Sequence, residues 1–244
     1  DLYWAQISII NILDLFLYDI LPANDDIEAD LIHQKWGFIQ LCFYESKLRV
    51  QSSSSSVRKN EAWRTDDEGL LDRKLVGTKV DLIFINGAHE YGCLEVTCSN
   101  DQHNTKATIE GRLKLPRTLK DMLASLSKMA PTRTHDLKVI GFIVTGRNLT
   151  LYILDCPNSS VVRIKKFGLY EFPSSVEQFS KMFIPLLSLV WQAKTIMKNT
   201  LAIINDDDDI VLPTDDGLIP SPIPPCMPSP KASSKRKIYE IDAK

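Results

Sequence analysis

The hydrophobic pattern divides the chain into strands and helices in mixed order. KVDLIFI (79–85) and YGCLEVT (91–97) are short apolar runs that predict two β-strands, with a polar turn at Asn86-Gly87 between them. Ahead of them, residues 3–21 are apolar on almost every side. That predicts a helix covered over most of its surface, ended by Pro22 and the polar run ANDD. A second helix is expected from about Asp26, where Ile27, Leu31, Trp36, Ile39 and Phe43 fall at helical spacing. Asp25 or Asp26 would cap it, and Glu28 and Asp30 lie in its first turn, where the helix dipole favours acids. KLRVQ then reads as a short extended segment. The run SSSSSVRKNEAWR, with no core-forming serines, reads as a mobile surface loop near 51–60.

After the strand pair, a helix is expected to open near Thr105, capped by Asn104 or Thr105. Ile109, Leu113, Met122, Leu123, Leu126 and Met129 form its buried face. Pro116 should kink or split it, and Pro131 ends it. LKVIGFIVT and LTLYILDC around Gly146-Arg147-Asn148 read as a hairpin, and SVVRIKKFGLYEF adds a strand with a basic edge. A long helix follows from about Ser174 to Ile204. Val176, Phe179, Phe183, Leu186, Leu187, Val190, Ala193, Met197 and Leu201 mark its stripe, with a kink expected at Pro185. Trp36 and Trp191 read as core residues of their helices.

This order implies an α/β fold with a central mixed β-sheet and helices on both faces. Three parts are expected: an apolar N-terminal helix within 1–25, an α/β domain over 26–204, and a tail over 205–244. The tail is acidic and then proline-rich, a composition that cannot bury enough apolar surface to fold alone. Its Lys235-Arg236-Lys237 cluster could serve as a nuclear import signal.

Composition narrows the function classes. A chain of 244 residues with 44% hydrophobic and 25% charged side chains suits a globular domain, and a net charge of −2 gives no global pull toward nucleic acid. Contact with DNA or RNA would need a local basic patch, for which Arg58, Lys59, Lys79, Lys106 and Lys114 are the candidates. The alternative is a solvated charged face. Five scattered cysteines without CxxC spacing signal neither a disulfide framework nor a zinc site, so reduced thiols in an intracellular compartment are expected. Asp14 and Asp19 interrupt the first apolar stretch, which argues against a membrane span.

The candidate chemistry lies in GTKVDLIFINGAHEYGCLEVTC, where each strand carries one acid, Asp81 and Glu95. An acid inside an apolar strand needs a partner, because an unpaired buried carboxylate costs several kcal/mol. The partner is either a divalent metal shared by both acids or a nearby Lys or Arg. Glu90 is expected to be solvated beside the turn, and Asp155 to occupy an ordinary strand end. The histidines His89 and His103 flank the strand pair.

Asp81, a turn, and Glu95 in the next strand, with a helix before and a helix directly after, resemble the restriction-endonuclease-like PD-(D/E)xK nucleases. NTKATIEGRLKLPRTLKDML with the VIGFIVTGRNLTLYILD hairpin also resembles a group of uncharacterised filamentous-fungal proteins. The likeness spans roughly residues 26–204. It implies Asp81, Glu95 and the Val96 carbonyl as ligands of Mg²⁺ or Mn²⁺, with Glu28 as an additional acid. The family carries Lys two residues after the Glu, on the same strand face; this chain carries Thr97. A cation would then have to come from the following helix. Lys106 is the catalytic candidate and Arg112 and Lys114 are alternatives; each could equally face solvent. Two readings follow: a nuclease-fold domain engaging nucleic acid, with cleavage weakened or lost at Thr97, or a noncatalytic protein-interaction module on the same scaffold.

Overall fold

The computed structural model describes residues 1–20, 31–55, 78–97, 113–158, 161–206 and Ile223. Helix α1 (Leu2–Leu17) is followed by a π-helical turn (Leu31–Lys35), α2 (Gly37–Leu41), β1 (Arg49–Ser55), β2 (Lys79–Asn86) and β3 (His89–Thr97). Then come α3 (Leu115–Ser127), a 3-10 turn (Pro131–Asp136), β4 (Lys138–Thr145), β5 (Asn148–Asn158), β6 (Val161–Glu171) and α4 (Val176–Asp206).

The six strands form one sheet in sequence order. Only β3 and β4 run parallel; every other neighbouring pair is antiparallel. Parallel neighbours need a crossover connection, and α3 lies within this one. Two glycines show how the helices cover both faces. A Cβ on Gly141 of β4 would meet Leu115 and Leu119 of α3, at 2.8–3.0 Å. A Cβ on Gly92 of β3 would meet Met197 of α4 at 2.9 Å and the Ile140 carbonyl oxygen at 2.4 Å. The expected mixed sheet with helices on both faces is therefore present.

The β2–β3 hairpin turns at Gly87-Ala88, with Gly87 at φ +57°, and Asn86 pairs with His89. Phe84 pairs with Gly92 and Ile85 with Glu90, so Tyr91 is an extra residue on β3, a β-bulge. The bulge carries Glu90 onto the face of Ile85 and Cys93. Without it, simple alternation would put Glu90 on the other side.

Several expectations change. Helix α1 buries only Trp4, Ser8 and Ile12; Leu2, Tyr3, Ile10, Leu13 and Leu17 are exposed, so among the described residues nothing covers that side. The helix expected from Asp26 is, among the described residues, a π-helical turn and the short α2. Trp36, Ile39 and Phe43 are buried as expected. The serine run is not wholly loop: β1 reaches Ser55 by pairing with β2, where cross-strand bonding outweighs weak strand propensity. Pro116 sits in the first turn of α3, where its missing N–H goes unmissed, and the stretch from Thr105 to Arg112 expected to open this helix lies outside the described residues. Leu113 and Met129 then fall outside the helix and are exposed. Trp191 is exposed too, donating its indole N–H to Asp1 Oδ2 at 3.2 Å. Helix α4 runs through Pro185 as one element, and Val176 at its start is exposed. Ile223, in the stretch expected to be tail, is fully buried in the hydrophobic core.

The close approach at Gly92 makes a prediction. Gly92→Ala should lower stability by about 1–3 kcal/mol, as overpacking does, read from the urea midpoint. An unchanged midpoint would show that β3 and β4 can part to admit a methyl group.

Candidate functional site

Strand alternation places the candidate residues on one face. Pairing Leu82 with Leu94 and Ile83 with Cys93 fixes the register, and its continuation sets Asp81 opposite Glu95. Glu95 lies beside Ile143 of β4, and Thr97 beside Thr145, all on the face that α3 covers. Cys93 completes the row between Glu90 and Glu95.

Glu95 is almost fully buried, and the cation that reaches it is Lys114. The Lys114 ammonium donates to Glu95 Oε2 at 2.7 Å, a charge-assisted hydrogen bond from the residue just before α3. The Glu95 side chain is 3% exposed and that of Lys114 28%. Asp81 accepts a hydrogen bond at Oδ2 from the Val96 backbone N–H, also at 2.7 Å. Its carboxylate thereby ties β2 to β3 at the point where Glu95 turns inward. Thr97 shares the face of Glu95, as alternation requires, and is buried; its carbonyl accepts from the Gly146 N–H at 2.9 Å.

Charge around Cys93 shows how close these groups are. Burial pushes the Cys93 thiol well above its ordinary 9.0; Glu95, Glu90 and Asp81 push it further, and Lys114 opposes them. Glu90 is thus a buried member of an acidic row rather than a solvated turn residue. Tyr91, at the bulge, has its phenol raised to about 12 by burial. Asp155, expected at an ordinary strand end, is also buried and takes two hydrogen bonds from Arg163, at 2.9 and 2.6 Å. That pair belongs to the β5–β6 edge.

The remaining candidates divide clearly. Lys79, exposed at the start of β2, shares the face of Asp81. Arg117, exposed in the first turn of α3 and one turn beyond Lys114, is a basic residue that sequence reasoning missed. Glu28, Arg58, Lys59, His103, Lys106 and Arg112 lie outside the described residues. A cavity of about 290 Å³ lined by Arg133, Asp136, Lys138, Ile196, Asn199, Thr200 and Ile203 opens at the start of β4, the strand end far from Ile143. It is separate from the acidic row.

The donor set suits a hard divalent cation in kind: two carboxylates on adjacent strands and the Val96 carbonyl, all oxygens. Mg²⁺ takes one or two carboxylates and completes its shell with water and phosphate. Among the described residues, no three His, Cys, Asp or Glu side chains gather to hold an ion. Among them, also, no helix is long and apolar enough to cross a membrane. Searches against protein families, curated proteins and solved structures return no match to this chain.

Two predictions follow from this geometry. Lys114→Met should cost about 1–3 kcal/mol by stranding the Glu95 charge, less than a fully buried pair because Lys114 is partly exposed. Adding Glu95→Gln should recover part of that loss in urea titrations; a strictly additive second loss would contradict the pairing. The raised Cys93 pKa stabilises the fold below pH 9.0, and that contribution is lost as pH climbs through the folded-state value. Below pH 9.0, mass spectrometry after iodoacetamide treatment should find Cys93 unmodified in native protein and modified in denaturant. Rapid native labelling would show that the acidic row is open.

Proposed function

We propose that this protein is a nuclease-like domain that engages nucleic acid and cleaves phosphodiesters with Mg²⁺ or Mn²⁺. The observation that carries this reading is Lys114 at 2.7 Å from Glu95 Oε2. Asp81 and Glu95 on adjacent strands supply the acids, and Lys114 supplies the cation that Thr97 cannot.

Asp81, Glu95 and the Val96 carbonyl would hold the ion. When bound, it stabilises charge developing on the scissile phosphate and acidifies a bound water. The chain's own groups do the rest. In the absence of metal, the Lys114 ammonium pairs with the buried Glu95 carboxylate. With an ion present, the same ammonium can swing toward the phosphate or the attacking water; its partial exposure leaves room for this. Lys79 and Arg117 border the acids with positive charge suited to a phosphate backbone.

One observation favours the second reading, a noncatalytic interaction module. Each acid already has a partner within the protein, which is how a purely structural pair looks. Metal titration by calorimetry together with cleavage of DNA and RNA separates the readings. The nuclease reading expects Mg²⁺ or Mn²⁺ binding and cleavage, reduced on the order of 10²-fold or more by Asp81→Asn, Glu95→Gln or Lys114→Met. Neither binding nor cleavage in the parent chain would leave the interaction module standing.

A further inference from the structure

The outer side of α1 carries more uncovered apolar surface than a lone domain usually leaves, in a specific order. Its exposed stripe reads Tyr3, Gln6, Ile10, Leu13 and Leu17, spaced alternately by three and four residues, with Leu2 beside it. That is the heptad spacing by which one helix packs along another. The opposite side of α1 is already used: Trp4, Ser8 and Ile12 face the core, and the Trp4 indole donates to the Phe38 carbonyl at 2.8 Å. The helix lies antiparallel to α4, with Asp1 bonded to Trp191 and Lys194 at one end and Phe16 stacked edge-on against Phe179 at the other.

We infer that this stripe is a dimer interface, in which α1 packs antiparallel against α1 of a second copy about a two-fold axis at Ile10. Three observations lead there. Leu2 is 90% exposed, Tyr3 68% and Leu17 72%, and Ile10, Leu13 and Trp191 are 37–44% exposed. Together these six leave on the order of 700 Å² uncovered, near the ~800 Å² each partner contributes to a standard interface and above the ~300–600 Å² patch of a typical monomer. The stripe is also self-complementary. With Ile10 on the axis, Tyr3 meets Leu17 of the second copy, Leu13 meets the half-buried Ile7, and Gln6 meets Asp14 of the second copy. Asp14, exposed at the margin of the stripe, is the charge that any partner helix must accommodate. The antiparallel arrangement gives it an amide donor twice over, whereas a parallel one would set Asp14 against Asp14. An isologous contact closes on itself and leaves no stripe uncovered for further growth.

Sedimentation of the full chain over a concentration series tests this. The parent should be a dimer at micromolar concentration. Ile10→Asp should be monomeric and folded, with a thermal midpoint that no longer rises with protein concentration as the parent's does. Gln6→Lys should tighten the dimer about three- to tenfold at low salt, through two new Lys–Asp pairs. Adding Asp14→Asn should remove that gain. A parent that stays monomeric throughout the series would overturn the inference. So would a dimer that Ile10→Asp leaves intact or that Gln6→Lys weakens.

Discussion

A carboxylate placed in the middle of an apolar sheet has to be held by something, and Glu95 is held by Lys114. That single contact sets much of the geometry around it. Glu95 sits near the end of β3, next to the only parallel junction in the sheet, so its side chain points into the layer between strands and α3. For the ammonium to arrive at 2.7 Å, α3 must begin at that strand end. Leu115 and Leu119 then pack onto Gly141, where only a missing Cβ permits so close an approach. Within the crossover between β3 and β4, α3 is pinned at its entrance by charge and in its first turns by apolar contact.

The bulge at Tyr91 concentrates charge on the same face. By inserting one residue it turns Glu90 toward Cys93, so that Glu90 and Glu95 flank one buried thiol, with Asp81 on the adjacent strand. Like charges so close tend to draw a cation. Lys114 offsets part of that tendency from within the protein. In the nuclease reading we propose, a divalent ion would offset it more fully and release the lysine for a phosphate. The exposed stripe of α1 belongs to another face and depends on none of this.

Much of the architecture was legible because strand and helix periods survive in the sequence. The β2–β3 hairpin, the β4–β5 hairpin around Gly146 and the long α4 all follow their apolar patterns. The facing of Asp81, Glu95 and Thr97 also followed, since alternation alone decides it. Lys106 lies outside the described residues, and Lys114, given as an alternative to it, is the cation at Glu95. Pro116, a residue suited to the first turn, places Lys114 at the helix entrance and could have singled it out. Other expectations failed for physical causes. Glu90 was misread because a one-residue bulge leaves no mark in local periodicity. Helix α1 was expected to be covered because an apolar helix must be, but sequence does not say by what. Trp191 was taken for core, although a large ring with one polar atom can lie at a helix margin and hydrogen-bond outward.

Paramagnetic broadening by Mn²⁺ in amide and lysine NMR spectra bears most directly on the acidic row. If Asp81 and Glu95 share a cation beside Lys114, substoichiometric Mn²⁺ should broaden the Val96 amide and the Lys114 side-chain signals first, and Asp81→Asn should abolish the effect. Broadening confined to the acidic run that begins at Asp206, with Val96 and Lys114 untouched, would contradict it.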